Sequence, residues 1–504
     1  MTRTGFGIDF GTTNSILAFH KPAGRVTTAC RDIETSMPHP SVLWYRPGEP
    51  TKAGATAKTH VSRFSGVPGH TFIQSVKQHL GKAESFDVCG TNKPAREVAS
   101  DLFRFLLDDA RSHHGVSPQS GVVTIPLYFD GHARRELRRA AGDAGFHVTA
   151  FLHEPFAALI GYVCKKKSRT ELRRMAGQNV VVFDWGGGTL DVTVARIGED
   201  QIAELATAGL PTFAGNYFDH LLASHVRREF FDDKGIAADT VVIPPGAKDR
   251  FLAETERCKI ALSREASDTM QAASYCQYRD REYDLSQSVT RVDFEREIRP
   301  TVDMACRLVD KALESAGITA RQVDMCLLVG GTSLIPLVQR EMRERFGHTI
   351  VTIPDADSII AEGAAIADAY GMHSAFADTI ALELSDGTYH SIFRKGELAI
   401  PSTCSRSLNL FCTDNRDGQA RIILGLYDST RRAFDRKSTV VAPVSPDLPK
   451  PYQHERISLD MTVDQDLVLG VQAKAATRSL EDAVRVELVD LRYAVSLAGI
   501  RDDE

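Results

Sequence analysis

Gly7-Ile8-Asp9-Phe10-Gly11-Thr12-Thr13-Asn14-Ser15 opens the chain, and Phe183-Asp184-Trp185-Gly186-Gly187-Gly188-Thr189-Leu190-Asp191 repeats its design far downstream. In each stretch an apolar strand ends in an aspartate, a glycine-rich turn follows, and a threonine stands beside the turn. Glycine lets the backbone come close to a phosphate, and successive N–H groups can then point at the anion. An aspartate would repel that phosphate, so Asp9 and Asp184 read as Mg²⁺ anchors, acting directly or through water. A third turn, Leu328-Val329-Gly330-Gly331-Thr332-Ser333, closes another apolar strand. Two loops of the first kind, one per lobe, would clamp a single nucleotide from both sides.

The order strand, glycine turn, strand, later helix occurs around Asp9 and again around Asp184. We read this as an internal duplication, giving two similar α/β lobes that face each other. Between the turns, the apolar run Gly121–Pro126 reads as a short buried strand. Helical spacing of apolar residues marks segments near 97–114, 131–144, 217–231, 247–264 and 294–316. After about residue 376 the pattern changes to period two. Ile457, Leu459, Met461 and Val463 alternate with polar residues, then Leu467, Leu469, Val471 and Ala473 do the same beyond an Asp464-Gln465-Asp466 turn. That is the pattern of an antiparallel β domain with one wet face. The expected organisation is a nucleotide-binding domain over 1–374 with its lobes dividing near 175, a linker over 375–386, a β-rich substrate- or partner-binding domain over 387–478, and a short segment over 479–504. The apolar residues of that last segment fit either a final strand or a short helix.

The bulk numbers bound the reading. A chain of 504 residues exceeds one hydrophobic core. A formal net charge of −6 argues against a general nucleic-acid or membrane-surface binder, so neither is expected as a partner. No apolar run approaches membrane-spanning length, and the chain reaches its first strand too soon for a signal peptide. The nine cysteines include no Cys-x-x-Cys pair. They read as reduced thiols, and a cytoplasmic location is expected.

Taken together, these motifs resemble the nucleotide-binding domain of the 70-kDa heat-shock chaperones of the DnaK type, within the actin and sugar-kinase superfamily. The resemblance runs through six separated segments over about residues 4–372 and continues weakly into the β domain. It implies a slow ATPase that works with ATP or ADP and Mg²⁺, with room for K⁺, and couples hydrolysis to the grip and release of extended polypeptide. Asp9, Gly11, Thr12, Thr13 and Asn14 resemble the family's first phosphate loop; Asp184, Gly186, Gly187, Gly188, Thr189 and Asp191 resemble the second. Lys77 stands at the family's catalytic lysine and Glu154 at its active-site glutamate, although a glutamate before Pro155 also suits a helix start. Glu256, Lys259 and Ser263 share one helix face. With Gly330, Gly331, Ser333 and Asp355, they match the adenosine side. Gly215 and Asp219 match a tight turn before a helix. Pro126, Arg134 and Glu154 match the positions that relay nucleotide state to the lobe surface.

The sequence also departs from the family. Leu334 stands where most members carry an arginine on the adenine, so the cation–π component is lost. Met372-His373-Ser374-Ala375-Phe376-Ala377-Asp378 replaces a leucine-rich linker. The long helical lid is missing or reduced to the segment around 479–499. The family implies a J-domain co-chaperone and a nucleotide-exchange factor. Ala150, His153 and Phe156, however, replace residues near which J-domain partners act, which argues against a standard contact. Two other readings stand beside the chaperone. One is a nucleotide-dependent scaffold of the same superfamily with little hydrolysis; the less favoured one is a small-molecule kinase.

Overall fold

The computed structural model describes residues 3–22, 26–166, 174–199, 201–237, 240–244, 246–352, 356–401, 403–412, 417–428, 432–445 and 455–497. Each lobe is built on a sheet of the same topology. In lobe I the order is His147–His153, Ser120–Ile125, Gly5–Phe10, Asn14–Lys21 and Val26–Cys30. In lobe II it is Ile350–Thr352, Met325–Val329, Asn179–Trp185, Thr189–Ile197 and Gln201–Pro211. Each sheet carries a hairpin, Gly5–Phe10 with Asn14–Lys21 and Asn179–Trp185 with Thr189–Ile197, extended by a further antiparallel strand. Parallel strands flank each hairpin on its other side. The duplication read from the two aspartate turns is therefore a duplication of whole sheets. The hairpins pair Phe10 with Ser15 and Trp185 with Leu190, which leaves the glycine turns at the strand ends that face the cleft.

Two helices fasten the lobes at the base. Glu154–Lys166 and Ile359–Ala369 cross where Gly161 meets Gly363, and a Cβ on Gly363 would overlap the backbone of Ala157. Gly5 and Gly7 admit the backbone of Ala365 and Ala369 in the same way. Glycine is needed at these positions because backbone meets backbone directly. Lobe II has its own core of Phe183, Phe218, Phe230, Tyr275, Phe294 and neighbours.

The C-terminal β domain is a sandwich of two four-stranded sheets. One runs Tyr389–Phe393, Thr379–Glu383, Gln419–Asp428, Ala433–Pro443; the other Ser405–Phe411, Arg456–Val463, Leu469–Ala475, Val484–Leu488. The alternation read at Ile457–Val463 holds, with Ile457, Leu459, Met461 and Val463 all buried. The boundaries differ from expectation. Residues 375–386 are not a free linker: Ser374–Phe376 is a strand of the lobe II sheet and Thr379–Glu383 is already inside the sandwich. Residues 479–497 form no lid helix. Val484–Leu488 completes the sandwich, and Tyr493–Ser496 returns to lobe II between Gln201–Pro211 and Ser374–Phe376. The extended choice won because both sides of that segment meet open sheet edges.

Candidate nucleotide site

The two glycine loops touch across the cleft. A Cβ on Gly187 would overlap Thr13 Oγ1, and one on Gly188 would stand 3.0 Å from Thr12 Cγ2. The Thr13 hydroxyl is buried and has no hydrogen-bond partner, as expected of a group that waits for a ligand acceptor. The first loop is braced from behind. Gly11 N–H donates to Ser15 Oγ at 3.1 Å, Ser41 Oγ–H donates to Gly11 O at 2.9 Å, and Ser41 N–H donates to Thr13 O at 2.8 Å. Ser41 is a functional support that the sequence did not reveal, since a lone serine in a loop carries no signal. The second loop is braced by the third: Thr332 Oγ1–H donates to Gly186 O at 2.8 Å. Gly330 has φ +79° and sits so close to Asp184 that a Cβ would be 2.8 Å from its Oδ1. Gly215 N–H donates to Gly186 O at 3.1 Å and Asn216 N–H to Gly187 O at 2.8 Å. The helix Gly215–Lys234 thus begins against the second loop.

Charge collects on the cleft floor. Lys77 lies in a one-turn helix, Val76–His79, entered through a left-handed Ser75. Its side chain is 4 % exposed, and the ammonium donates to Glu154 Oε1 at 2.6 Å. Glu154 is the first residue of its helix, and its carboxylate holds the Lys77 ammonium. Thr124 donates to Asp9 Oδ1 at 2.9 Å. Desolvation followed by Glu154 raises Asp9 to about 6, against the opposing pull of Lys77 and Thr124. Desolvation and Glu154 push Asp191 up to about 7. Asp184 is raised well above the usual carboxylate range by desolvation, then by Glu154, Asp191 and Asp9. Burial opposes the charged form of Lys77, yet Glu154 and Asp9 outweigh it and leave its pKa raised.

Four carboxylates thus share one lysine. That surplus of negative charge at the mouth of two anion-binding turns fits a hydrated divalent cation carried with a phosphate chain. Among the described residues no group of three or more His, Cys, Asp and Glu is close enough to hold a metal by itself. The donor set therefore fits contact through water better than a closed cage of side chains. Nothing in the described residues supports K⁺.

On the opposite wall, Lys259 donates to Gly215 O at 3.0 Å and to Asp219 Oδ2 at 2.9 Å. Asp219 is buried and pushed up to about 6 by desolvation, which Lys259 opposes. Glu256 is held by Lys58 of lobe I at 2.7 Å, so the cleft is bridged at its top. Ser263 follows directly on that helix and donates to Lys259 O at 3.3 Å. Ser333 is buried and donates to Gly330 O at 2.7 Å, while Gly331 and the half-buried Leu334 continue the same short helix. Asp355 lies outside the described residues. Gly186, Thr189 and Asn14 sit at the loop ends, with Gly186 N–H donating to Thr189 O at 3.1 Å.

Arg134 is no surface arginine. It is 2 % exposed and gives all its recorded hydrogen bonds to backbone carbonyls: Phe129 O at 2.6 Å, Asp466 O at 2.7 Å, Val489 O at 3.0 Å and Leu467 O at 3.3 Å. Pro126 begins the turn that leads to it, accepting from Phe129 N–H at 3.2 Å. Phe156 is completely buried and His153 nearly so, which leaves neither available to a partner surface. His153 is pushed down to about 3 by burial and then by Arg134.

A family model described as "Hsp70 protein" matches residues 84–491. "Chaperone protein DnaK" of Thermosipho africanus is 27% identical over 481 residues, covering 93% of this chain and 77% of that protein. The protein of the same name from Thermus thermophilus is 27% identical over 509 residues, covering 95% and 80%. That of Thermotoga maritima is 28% identical over 485 residues, covering 93% and 78%. The chain belongs to the Hsp70 family, and its paired lobes are the actin-like ATPase fold of that family followed by a β-rich C-terminal part. Among the described residues, no helix is long and apolar enough to cross a membrane.

Proposed function

We propose that this protein is an ATP-hydrolysing chaperone that binds extended polypeptide through its β domain. The observation that carries the reading is the meeting of Thr12 and Thr13 with Gly187 and Gly188, together with the buried Lys77–Glu154 pair and the three aspartates whose charges bear on it. Thr12, Thr13, Gly187 and Gly188 would receive the phosphate chain from both lobes. Asp9 and Asp184 would hold Mg²⁺ through its water shell, and the ion supplies charge neutralisation of the phosphates when bound. Lys77 places a compact cation where negative charge develops on the transferred phosphoryl oxygens. Glu154 fixes that ammonium in direction, and Thr189 with Asp191 would orient the attacking water. Positioning and charge carry such a reaction, since phosphoryl transfer asks little covalent chemistry of the protein. Glu256, Lys259, Ser263, Gly330, Gly331 and Ser333 would surround the adenosine, with Gly215 and Asp219 holding Lys259 in place.

The test is single-turnover ATP hydrolysis by the full chain, with and without an unfolded polypeptide, using Lys77→Ala as the blank. Hydrolysis above the blank that rises with polypeptide is expected. Hydrolysis no faster than the blank would replace this reading with a nucleotide-locked scaffold.

A further inference from the structure

The β domain is tied to lobe II twice. The chain enters it through Ser374–Phe376 and leaves it through Tyr493–Ser496, and these two strands are antiparallel neighbours in the lobe II sheet. Only residues 377 and 378 separate the entering strand from Thr379–Glu383, the first strand of the sandwich. Only residues 489–492 separate Val484–Leu488, the last strand of the sandwich, from the returning one. A connector of four residues spans at most about 14 Å when fully extended. The sandwich therefore has no room to leave while both strands stay in the sheet.

The returning strand is the inner of the two. Val495 pairs with Ile202 on one side and with Ser374 on the other. Ser496 N–H donates to His373 O at 2.8 Å and Ala377 N–H donates to Arg492 O at 3.2 Å, so the even-numbered residues face the entering strand. By alternation, Val495 directs its backbone toward Gln201–Pro211 of lobe II. Among the described residues, the entering strand pairs within the lobe II sheet only with this strand. Tyr493, Ala494 and Val495 are at most 3 % exposed and Leu497 is fully buried. The Tyr493 hydroxyl donates to Leu467 O of the sandwich at 2.9 Å, and Arg492 grips Asp378 with two hydrogen bonds of 2.9 and 3.0 Å. The strand thus joins lobe II, the entering segment and the sandwich in one place.

We propose that Tyr493–Ser496 is a strap that keeps the β domain docked on the ATPase domain irrespective of nucleotide, and that the domain separates only when this strand leaves the sheet. The inference does not depend on turnover. The experiment is hydrogen exchange and small-angle scattering on the nucleotide-free full chain, repeated with ADP and with ATP–Mg²⁺. The wild type is expected to keep Ser374–Phe376 protected and the same radius of gyration in all three. Val495→Pro removes a ladder donor facing lobe II, and proline is not accommodated in a central strand. It should speed exchange at Ala375 roughly tenfold or more; enlargement of the particle is read in the same variant with Arg135→Ala and Arg138→Ala, which removes the ion pairs that also hold the sandwich on lobe I. Val495→Thr should behave as wild type. Unchanged exchange in Asn179–Trp185 certifies that the lobe is folded. Should Val495→Pro disturb that strand, Arg492→Ala with Tyr493→Ala takes its place and is read the same way. The proposal is overturned if wild-type Ser374–Phe376 exchanges rapidly without nucleotide or with ADP. It is also overturned if a folded strap variant stays as compact and protected as wild type.

Discussion

Lys77 meets Glu154 at 2.6 Å with its side chain 4 % exposed, and three further carboxylates, Asp9, Asp184 and Asp191, bear on the same cation. A lysine tied to one glutamate would be a structural pair. A lysine facing an excess of carboxylate at the junction of two phosphate loops is placed for a ligand that brings both cation and anion. Lys77→Ala should lower the single-turnover rate by about 10²–10³-fold, the scale of removing one positioned charge-stabilising group. Affinity for ATP should change far less, because the loops and the adenosine wall remain. A loss of affinity with the rate at saturating ATP unchanged, measured by titration and rapid quench, would place Lys77 in binding alone.

The carboxylate cluster sets a pH dependence of stability. Asp9 and Asp191 titrate near 6 and 7 in the folded protein and near the ordinary range once unfolded. Between about pH 4 and 7 the folded state therefore holds more protons than the unfolded state, and stability falls as pH rises through that window. Below it, both states are protonated and the contribution is fully present. Asp184, raised in the same direction, adds to the trend. Thermal melts of the nucleotide-free protein should show this decline, and Asp9→Asn should flatten it. Added Mg²⁺ with ATP should oppose it, most strongly at the high-pH end. His153, held down at about 3, acts in the opposite sense over the lower part of that window, so the reading is the difference between the two proteins: an Asp9→Asn profile that falls as steeply as the wild type's would contradict the assignment.

Much of this architecture was legible because its signals are local. The aspartate–glycine–threonine turns required close backbone approach, and the structure spends them on loop-to-loop contact between Thr13 and Gly187. The apolar strand closed by the third glycine turn is Met325–Val329, as its run of apolar residues implied. What stayed hidden depends on partners distant in sequence. Ser41 supports the first loop, yet nothing near it predicts that. Lys58 reaches Glu256 only because the lobes close. Arg134 looked like its neighbours Arg135, Arg138 and Arg139 until the carbonyls of Asp466, Leu467 and Val489 were folded over it. The strap was ambiguous for the same reason: four residues become a strand only where two edges await them.

Gly187→Ala should weaken nucleotide binding without unfolding lobe II. Its Cβ would overlap the Thr13 hydroxyl, a side chain in the opposite lobe, so the cleft must open or Thr13 must rotate away. Either change disturbs phosphate contacts from both loops. Calorimetric titration with ADP should show a loss of about tenfold or more, equivalent to about 1.4 kcal/mol. The contrast is Gly142→Ala in the lobe I helix Gly131–Asp143, where a Cβ meets nothing within 4 Å and affinity should hold. Equal behaviour of the two variants would mean that the loops do not close on the ligand together.

The bridge between Lys58 and Glu256 is a weaker latch, and its geometry says how weak. The side chains are 36% and 27% exposed, so water and salt screen the pair. Such pairs contribute about 0.2–1 kcal/mol. Lys58→Ala should therefore speed release of a fluorescent ADP analogue by no more than about fivefold, the rate equivalent of 1 kcal/mol. The effect should shrink as salt is raised, because partly exposed charges are screened. Glu256→Ala should do more, since in our reading that carboxylate also faces the ribose. If Lys58→Ala and Glu256→Ala release nucleotide equally fast, Glu256 serves only the latch, and the adenosine wall rests on Lys259 and Ser263.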